Sequence, residues 1–156
     1  MQGIEVMRFL VRTPVRTFIV YPFLTLLWEF FFRGGTLECN AWFSPLLVWG
    51  YLQYRLCGLY RIKHGGGGPG LETPPDRLVD TGPYAYSRNP MYLGHIIFLI
   101  GLTLTLRSIF AAILTIAVAI WFHIRVCRDE KRLLLRLGEP YERYLRSVER
   151  WLPGLF

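Results

Sequence analysis

Two polar clusters in this sequence carry residue types that could bind a charged ligand. The first, GPYAYSRNPMY at residues 82–92, combines three tyrosines, an arginine and an asparagine just ahead of an apolar run. The second is RVCRDE, where Arg125 and Asp129 lie four residues apart on one helix face and Glu130 lies one step round. Carboxylates there could hold an amine, and the arginine could hold an anionic group. The alternative is a solvated ion pair that contributes little to stability.

The Asn-Pro pair inside the first cluster predicts a helix start. Pro90 suits the first turn of a helix, and Asn89 before it is expected to be extended. The first turn of such a helix offers unpaired backbone N–H groups, which favour a carboxylate or another anion. The alternative is an ordinary membrane helix that begins with Asn-Pro and binds nothing.

Four apolar runs surround these clusters. Hydrophobic residues make up 53% of the 156 residues, above the roughly 45–50% of a usual soluble domain. A membrane-spanning helix needs about 20 residues, with a range of about 17–25. The sequence therefore predicts an all-α integral membrane bundle with four spans, at residues 17–32, 41–60, 91–106 and 109–124. The first is read as a retained span, because no small-residue cleavage site follows it.

Basic residues are distributed unevenly between the two sides that these spans define. With the N-terminus inside, every lysine and arginine except Arg33 and Arg107 falls on the inner side. Excess basic charge marks the cytoplasmic side of a membrane protein, so both termini are predicted to be cytoplasmic. Topology and attraction to anionic lipid also account for the net charge of +7. No nucleic-acid partner is predicted.

The connection between the last two spans is predicted to be very short. Residues 106–108 leave no room for a loop, so spans three and four should form a tight helical hairpin. The start of one span then lies beside the end of the other. This arrangement is expected to bring residues 84–92 opposite residues 125–130.

The C-terminal tail reads as two helices. The last span is expected to continue through residues 125–137, with Gly138 ending it and Glu139 and Pro140 beginning the next helix. Tyr141 and Tyr144 fall on the apolar face of that second helix. Its amphipathic pattern predicts a helix that lies on the membrane surface.

The other polar residues and the glycines in the spans are expected to have structural roles. Glu29 is expected to pair with Arg33, four residues on, and His95 to bond inside the bundle. Gly94 and Gly101, two turns apart, predict close helix packing. The glycine-rich loop HGGGGPG lacks the pattern of a phosphate-binding loop, and the histidines and cysteines form no metal-ligand set. No metal is predicted.

The two clusters in their context resemble a known family. DRLVDTGPYAYSRNPMYLG and RVCRDEKRLLLRLGEPYERYLRSVERWLPGLF together resemble the isoprenylcysteine carboxyl methyltransferase family, which is similar to phospholipid N-methyltransferases. The resemblance covers residues 65–156 and rests on GPY-x-Y-x-R-[HN]-P-x-Y-x-G paired with E-E-x-x-L…G-x-x-Y-x-x-Y. It implies a membrane methyltransferase that uses S-adenosylmethionine and a lipophilic acceptor, such as an isoprenylcysteine-type carboxylate or a phospholipid amine.

The resemblance also implies roles for individual residues. In the family the cofactor pocket faces the cytoplasm and is closed by the C-terminal helices. Arg125 is implied to handle the acceptor. A carboxylate such as Glu130 could instead accept a proton from an amine or thiol acceptor, and the sequence does not choose between these catalytic roles. Contacts to the cofactor are implied for Arg77, Leu78, Val79, Tyr84, Asn89, Pro90, Met91, Tyr92, Asp129 and Glu130.

The implied organisation is one membrane domain over residues 1–156. Its segments are two spans (1–60), a cytoplasmic loop (61–89), the helical hairpin (90–124) and a tail covering the cofactor (125–156). Acceptor and lipids would come from the bilayer of a prokaryotic inner or plasma membrane. A homo-oligomer formed through the first two spans stays open.

Two departures from the family pattern keep alternatives open. Asn89 stands where the family usually has histidine, so this position cannot titrate near neutral pH. Asp129 is one methylene shorter than the usual glutamate. These departures keep open a lipid-binding scaffold without catalysis. A sterol-reductase-like enzyme that uses NADPH is a separate alternative, because its C-terminal pattern is similar.

Overall fold

The computed structural model describes residues 12–68, 71, 73–152 and 154. These residues form helices joined by loops and short 3₁₀ turns, as the predicted all-α class requires. The helices are α1 (Thr13–Phe32, with a π-helical stretch at Arg16–Val20), α2 (Ser44–Gly65), α3 (Pro90–Leu106), α4 (Ile109–Leu137) and α5 (Glu139–Ser147).

Two of the described helices are long and apolar enough to cross a membrane. These are α1 and α4, and in each only 22% of the most apolar window is buried. A core helix of a soluble protein would be mostly buried, so these exposed apolar surfaces suit a lipid environment. Helix α3 is also apolar but has 17 residues, and α2 does not reach the same hydropathy. The prediction of four spans therefore stays a prediction.

The contacts divide the described chain into two compact units. The first comprises the described residues up to Tyr51 together with His95–Val118, and the second comprises Leu52–Gly94 together with the described residues from Ala119 onward. The prediction of a single domain of four successive segments is not tested by this division. Each unit combines two separate stretches of chain.

The first unit has an aromatic and polar interior. The ring of Phe18 lies 4.7 Å from the ring of His95, which has no exposed surface, and 5.2 Å from that of Tyr51. Glu29 is buried, accepts a 2.5 Å hydrogen bond from Ser108 and pairs with Arg33 at 2.7 Å, as the sequence predicts for the Glu29–Arg33 pair. Partnered polar side chains are what a low-dielectric interior requires.

The connection between α3 and α4 consists of Arg107 and Ser108, as short as predicted. Arg107 takes a positive φ of 49°, an uncommon conformation for a residue with a side chain. The Ser108 hydroxyl accepts from the Ala111 N–H and so caps the start of α4. The hydroxyls of Thr103 and Thr115 lie 3.1 Å apart and join the two helices beside this turn.

Gly101 lies where α3 approaches α2 in the first unit. A Cβ at this position would lie 2.8 Å from the Cβ of Leu46 and 3.0 Å from the backbone nitrogen of Leu47. A Cβ at 2.8 Å from another carbon would clash, so the helices approach this closely because residue 101 has no side chain. The close packing predicted at Gly101 is present.

The second unit is shaped by a chain reversal after α2. The helix continues to Gly65, past residue 60, where the membrane span is predicted to end, and into the glycine run predicted to be loop. The Gly65 carbonyl then accepts from the N–H groups of Asp76 and Arg77. A Cβ at Gly65 would lie 2.5 Å from the side chain of Val79. The glycine therefore lets the returning loop lie directly against the end of α2.

The ends of α4 and α5 follow the predicted pattern. Gly138 has a φ of 64° and separates the two helices, a conformation that glycine adopts without steric cost. Pro140 lies in the first turn of α5, and Glu139 supplies an acidic residue there.

We predict that Gly101→Val destabilises the first unit by about 1–3 kcal/mol, the usual cost of overpacking. The thermal unfolding of detergent-solubilised protein measures this change. Ile113→Val is the matched control, because Ile113 is 64% exposed and the variant places the same side chain on a helix. Equal melting temperatures for the two variants would contradict the close packing at Gly101.

Candidate functional site

A cavity of about 500 Å³ lies within the second unit. Its walls come from the loop after α2, the start of α3, the C-terminal part of α4 and two tyrosines of α5. Sites for small molecules and cofactors typically have volumes of about 300–1,000 Å³. The cavity is therefore large enough for a cofactor.

Most residues predicted for the site lie on the wall of this cavity. Arg77, in contrast, is exposed and does not line it, and Glu130 is buried and does not line it. The predicted residues that do line the cavity are Leu78, Val79, Tyr84, Asn89, Pro90, Met91, Tyr92, Arg125 and Asp129.

The two polar clusters meet through Tyr92, Asp129 and Arg125. The Tyr92 hydroxyl donates to Asp129 Oδ2 at 3.2 Å, and Arg125 Nε lies 3.7 Å from the same oxygen. The Arg125 guanidinium also lies 6.0 Å from the centre of the Tyr92 ring and 5.5 Å from that of Trp121. These contacts hold one carboxylate and one guanidinium side by side at the cavity wall.

The charge of the cavity wall is unbalanced. Among the residues that the structure describes, Asp129 is the single carboxylate lining the cavity, whereas arginines line it from several elements. The excess of positive charge favours a ligand with an anionic group. The lining arginines are Arg61, Arg88, Arg125, Arg128, Arg132 and Arg136.

Several of these arginines also fix the loop that closes one side of the cavity. Arg125 Nη2 donates to the Leu71 carbonyl at 3.0 Å, and Arg136 Nη2 pairs with Asp76 at 2.8 Å. Arg61 Nη2 donates to the carbonyls of Gly68 and Thr73, each at 3.1 Å. The loop therefore owes its path to side chains of α2 and α4.

Buried tyrosines form another part of the wall. The Tyr144 hydroxyl donates to the Tyr84 carbonyl at 2.7 Å, and Tyr141 is 4% exposed. Burial raises the pKa of Tyr84, Tyr141 and Tyr144 above its ordinary value, so all three hydroxyls stay protonated at neutral pH. The apolar face of α5 thus packs on protein, whereas the sequence pattern predicted a helix lying on the membrane surface.

Glu130 has a different environment from its neighbour Asp129. Its side chain is 9% exposed and accepts hydrogen bonds from Arg150, at 2.8 Å for the shortest. Arg88 Nε lies 3.3 Å from the other carboxylate oxygen. Both oxygens are engaged by arginines, one of which (Arg88) lines the cavity, whereas Glu130 itself does not.

Several residues that line the cavity are not predicted from the sequence, because they belong to neither motif. The arginines of α4 do leave a signal, since Arg125, Arg128, Arg132 and Arg136 recur at helical spacing on one face. Arg61 and Trp121 leave none, because their place at the cavity follows from tertiary packing alone.

We predict that Tyr144→Phe lowers the free energy of unfolding by about 1–3 kcal/mol, because the buried Tyr84 carbonyl loses its donor. Thermal unfolding in detergent measures the loss. Tyr86→Phe is the control, since Tyr86 is 72% exposed. A Tyr144 variant as stable as the Tyr86 variant would contradict the importance of this hydrogen bond.

The raised tyrosine pKa values predict a loss of stability in alkali. A buried tyrosine ionises less readily in the folded chain, so its contribution is complete below the unfolded pKa of about 10 and declines as pH rises above it. Tyr141→Phe should therefore show a smaller fall in melting temperature between pH 9 and pH 11, values chosen to bracket about 10. A fall as steep as that of wild type would contradict the burial of Tyr141 in solution.

Part of the chain, including most of the residues that line the cavity, is similar in sequence to known proteins. Residues 68–137 match the family model of phospholipid methyltransferases. Over 78 residues the chain is 33% identical to the Protein-S-isoprenylcysteine O-methyltransferase of Schizosaccharomyces pombe, covering 49% of this chain and 33% of that protein. Over 79 residues it is 37% identical to the nickel-cobalt-cadmium resistance protein NccN of Alcaligenes xylosoxydans xylosoxydans, covering 50% of this chain and 37% of that protein. The chain spans about a third of the length of these curated relatives.

Proposed function

Because residues 68–137 match the phospholipid methyltransferase family, we propose that the chain is a membrane methyltransferase that takes its methyl group from S-adenosylmethionine. The observation that carries the proposal is the cavity of about 500 Å³. The elements that pair Tyr92 with Asp129 at its wall lie inside the matched segment.

The chemistry of the wall fits the groups that this cofactor carries. Asp129 would take the ammonium group, and Tyr92 holds that carboxylate in place. The carboxylate of the cofactor would face the first turn of α3, whose N–H groups favour an anion. Tyr84, Tyr141 and Tyr144 supply aromatic surface for the adenine and for a cationic sulfur.

When bound, S-adenosylmethionine supplies an electrophilic methyl group for an in-line displacement. The chain's own residues would align the acceptor and exclude water, which are the main demands of this reaction. Arg125 is suited to hold an acidic group of the acceptor, because its guanidinium lies at the cavity wall near the rings of Tyr92 and Trp121. We do not assign a proton-transfer role to Glu130, since its carboxylate is engaged by two arginines.

The acceptor is proposed to be lipophilic and to carry a polar head. Apolar residues of the loop and of α4 line the cavity beside the arginines, among them Leu71, Leu133 and Leu137. Such a wall suits a molecule with an apolar part and an anionic group. The names of the matching family and of the yeast relative point to a phospholipid or an isoprenylcysteine carboxylate as the class to screen.

The proposed location is a membrane that the chain crosses several times. The exposed apolar surfaces of α1 and α4 support this location. We further propose four spans with both termini in the cytoplasm, because all basic residues except Arg33 and Arg107 then fall on one side. The acceptor would reach the site from the bilayer.

We predict that Asp129→Asn weakens binding of S-adenosylmethionine by about tenfold or more, the effect expected when a charge-assisted hydrogen bond is lost. Asparagine preserves the size of the side chain, removes its charge and replaces one acceptor oxygen with a donor NH2 group. The measurement is isothermal titration calorimetry on detergent-purified protein, with NADPH as the comparison ligand. Glu139→Gln is the control, because the Glu139 side chain is 79% exposed on α5.

The same titration separates the competing functions. Binding of NADPH alone would favour a reductase, and binding of neither ligand by folded protein would favour a scaffold. Binding of S-adenosylmethionine that is equally strong in wild type and Asp129→Asn would retain the cofactor but contradict the proposed site.

A further inference from the structure

Three separate stretches of the second unit meet at one buried carboxylate. Glu130 of α4 accepts from Arg150 through Nε and Nη2, at 3.1 and 2.8 Å to Oε2, and its other oxygen lies 3.3 Å from Arg88 Nε. The side chains of Arg88 and Glu130 are 10% and 9% exposed. We call these three residues the ion network.

The backbone around the ion network is tied together as well. The N–H of Arg88 donates to the Glu149 carbonyl at 3.0 Å, and Asn89 Nδ2 donates to the Arg150 carbonyl at 3.2 Å. Arg88 Nη1 donates to the Leu145 carbonyl at the end of α5. The segment after α5, residues 148–151, is thereby held directly against the residues that precede α3.

This junction lies behind two walls of the cavity. Asn89 and Pro90 begin the wall contributed by α3, and Tyr141 and Tyr144 form the wall contributed by α5. Arg150 and Glu130 do not line the cavity. Glu130 on α4 nevertheless joins both stretches, because it pairs with Arg150 after α5 and with Arg88 just before α3.

We propose that Glu130 is a positioning residue, which with Arg88 and Arg150 clamps residues 148–151 onto the start of α3 and thereby shapes the cofactor cavity. This inference rests on the proposed function for the identity of the ligand. It differs from direct binding, in which Glu130 itself would contact the cofactor. The two roles make different predictions for Arg150, which lies away from the ligand in both.

The test is a double-mutant cycle of Glu130→Gln and Arg150→Gln in the full chain. A positioning role predicts that each single variant weakens binding of S-adenosylmethionine by about tenfold. The affinity of the double variant should lie within about twofold of that of the single variant that binds more weakly. The reason is that both substitutions remove the same Glu130–Arg150 interaction. Arg146→Gln is the matched control, since its ion pair with Glu142 is exposed on α5.

Hydrogen–deuterium exchange supplies a readout that needs no ligand. The proposal predicts faster exchange in both single variants for peptides that cover the Arg88 amide and residues 148–151. Unchanged exchange in Arg150→Gln would overturn it. Weakened binding in Glu130→Gln with exchange as in wild type would also overturn it, because that pattern indicates that Glu130 itself contacts the cofactor.

A third variant keeps the test decisive if Glu130→Gln does not fold. Arg150→Lys retains the positive charge at a side chain that is 28% exposed but cannot form the two-pronged contact. Faster exchange at residues 148–151 supports the ion network, and wild-type exchange overturns it. Failure of wild type to bind S-adenosylmethionine would refute the proposed function separately, because the exchange measurement does not depend on the cofactor.

Discussion

The pairing of a buried carboxylate with two arginines is the interaction on which the second unit most depends. A carboxylate that is withdrawn from water without partners is strongly unfavourable. Glu130 meets this requirement with Arg88, just before α3, and Arg150, after α5. Because the two partners are distant in the chain, satisfying one charge also fixes the course of two otherwise separate segments.

Two adjacent carboxylates consequently have different surroundings. Successive residues of a helix point about 100° apart, so Asp129 and Glu130 face different surroundings on α4. Asp129 lies at the cavity, hydrogen-bonded to Tyr92 and near Arg125 and Arg132. Glu130 lies in the protein interior. These surroundings support the two proposals, in which Asp129 binds the ligand and Glu130 positions the elements around the cavity.

Local signals predict the helices well and the tertiary pairings poorly. Gly138 and Pro140 mark the boundary between α4 and α5 because backbone conformation is set by those residues themselves. Helix α2 runs to Gly65, so its last turn lies within the segment predicted as loop, at the point where the returning chain packs against it. Motif spacing leads to Tyr92 and Asp129, but Arg150 lies 20 residues beyond Glu130, and no local pattern identifies such a partner.

The most direct test of the division between the two carboxylates is a structure of the chain bound to S-adenosylhomocysteine in detergent or lipid. We predict that the ligand lies inside the cavity, with its ammonium group within about 3 Å of the Asp129 carboxylate, and that Glu130 remains paired with Arg150. An ammonium group bound to Glu130, with the Arg150 pair broken, would contradict the division of roles between the two carboxylates. A ligand bound outside the cavity would contradict the site itself.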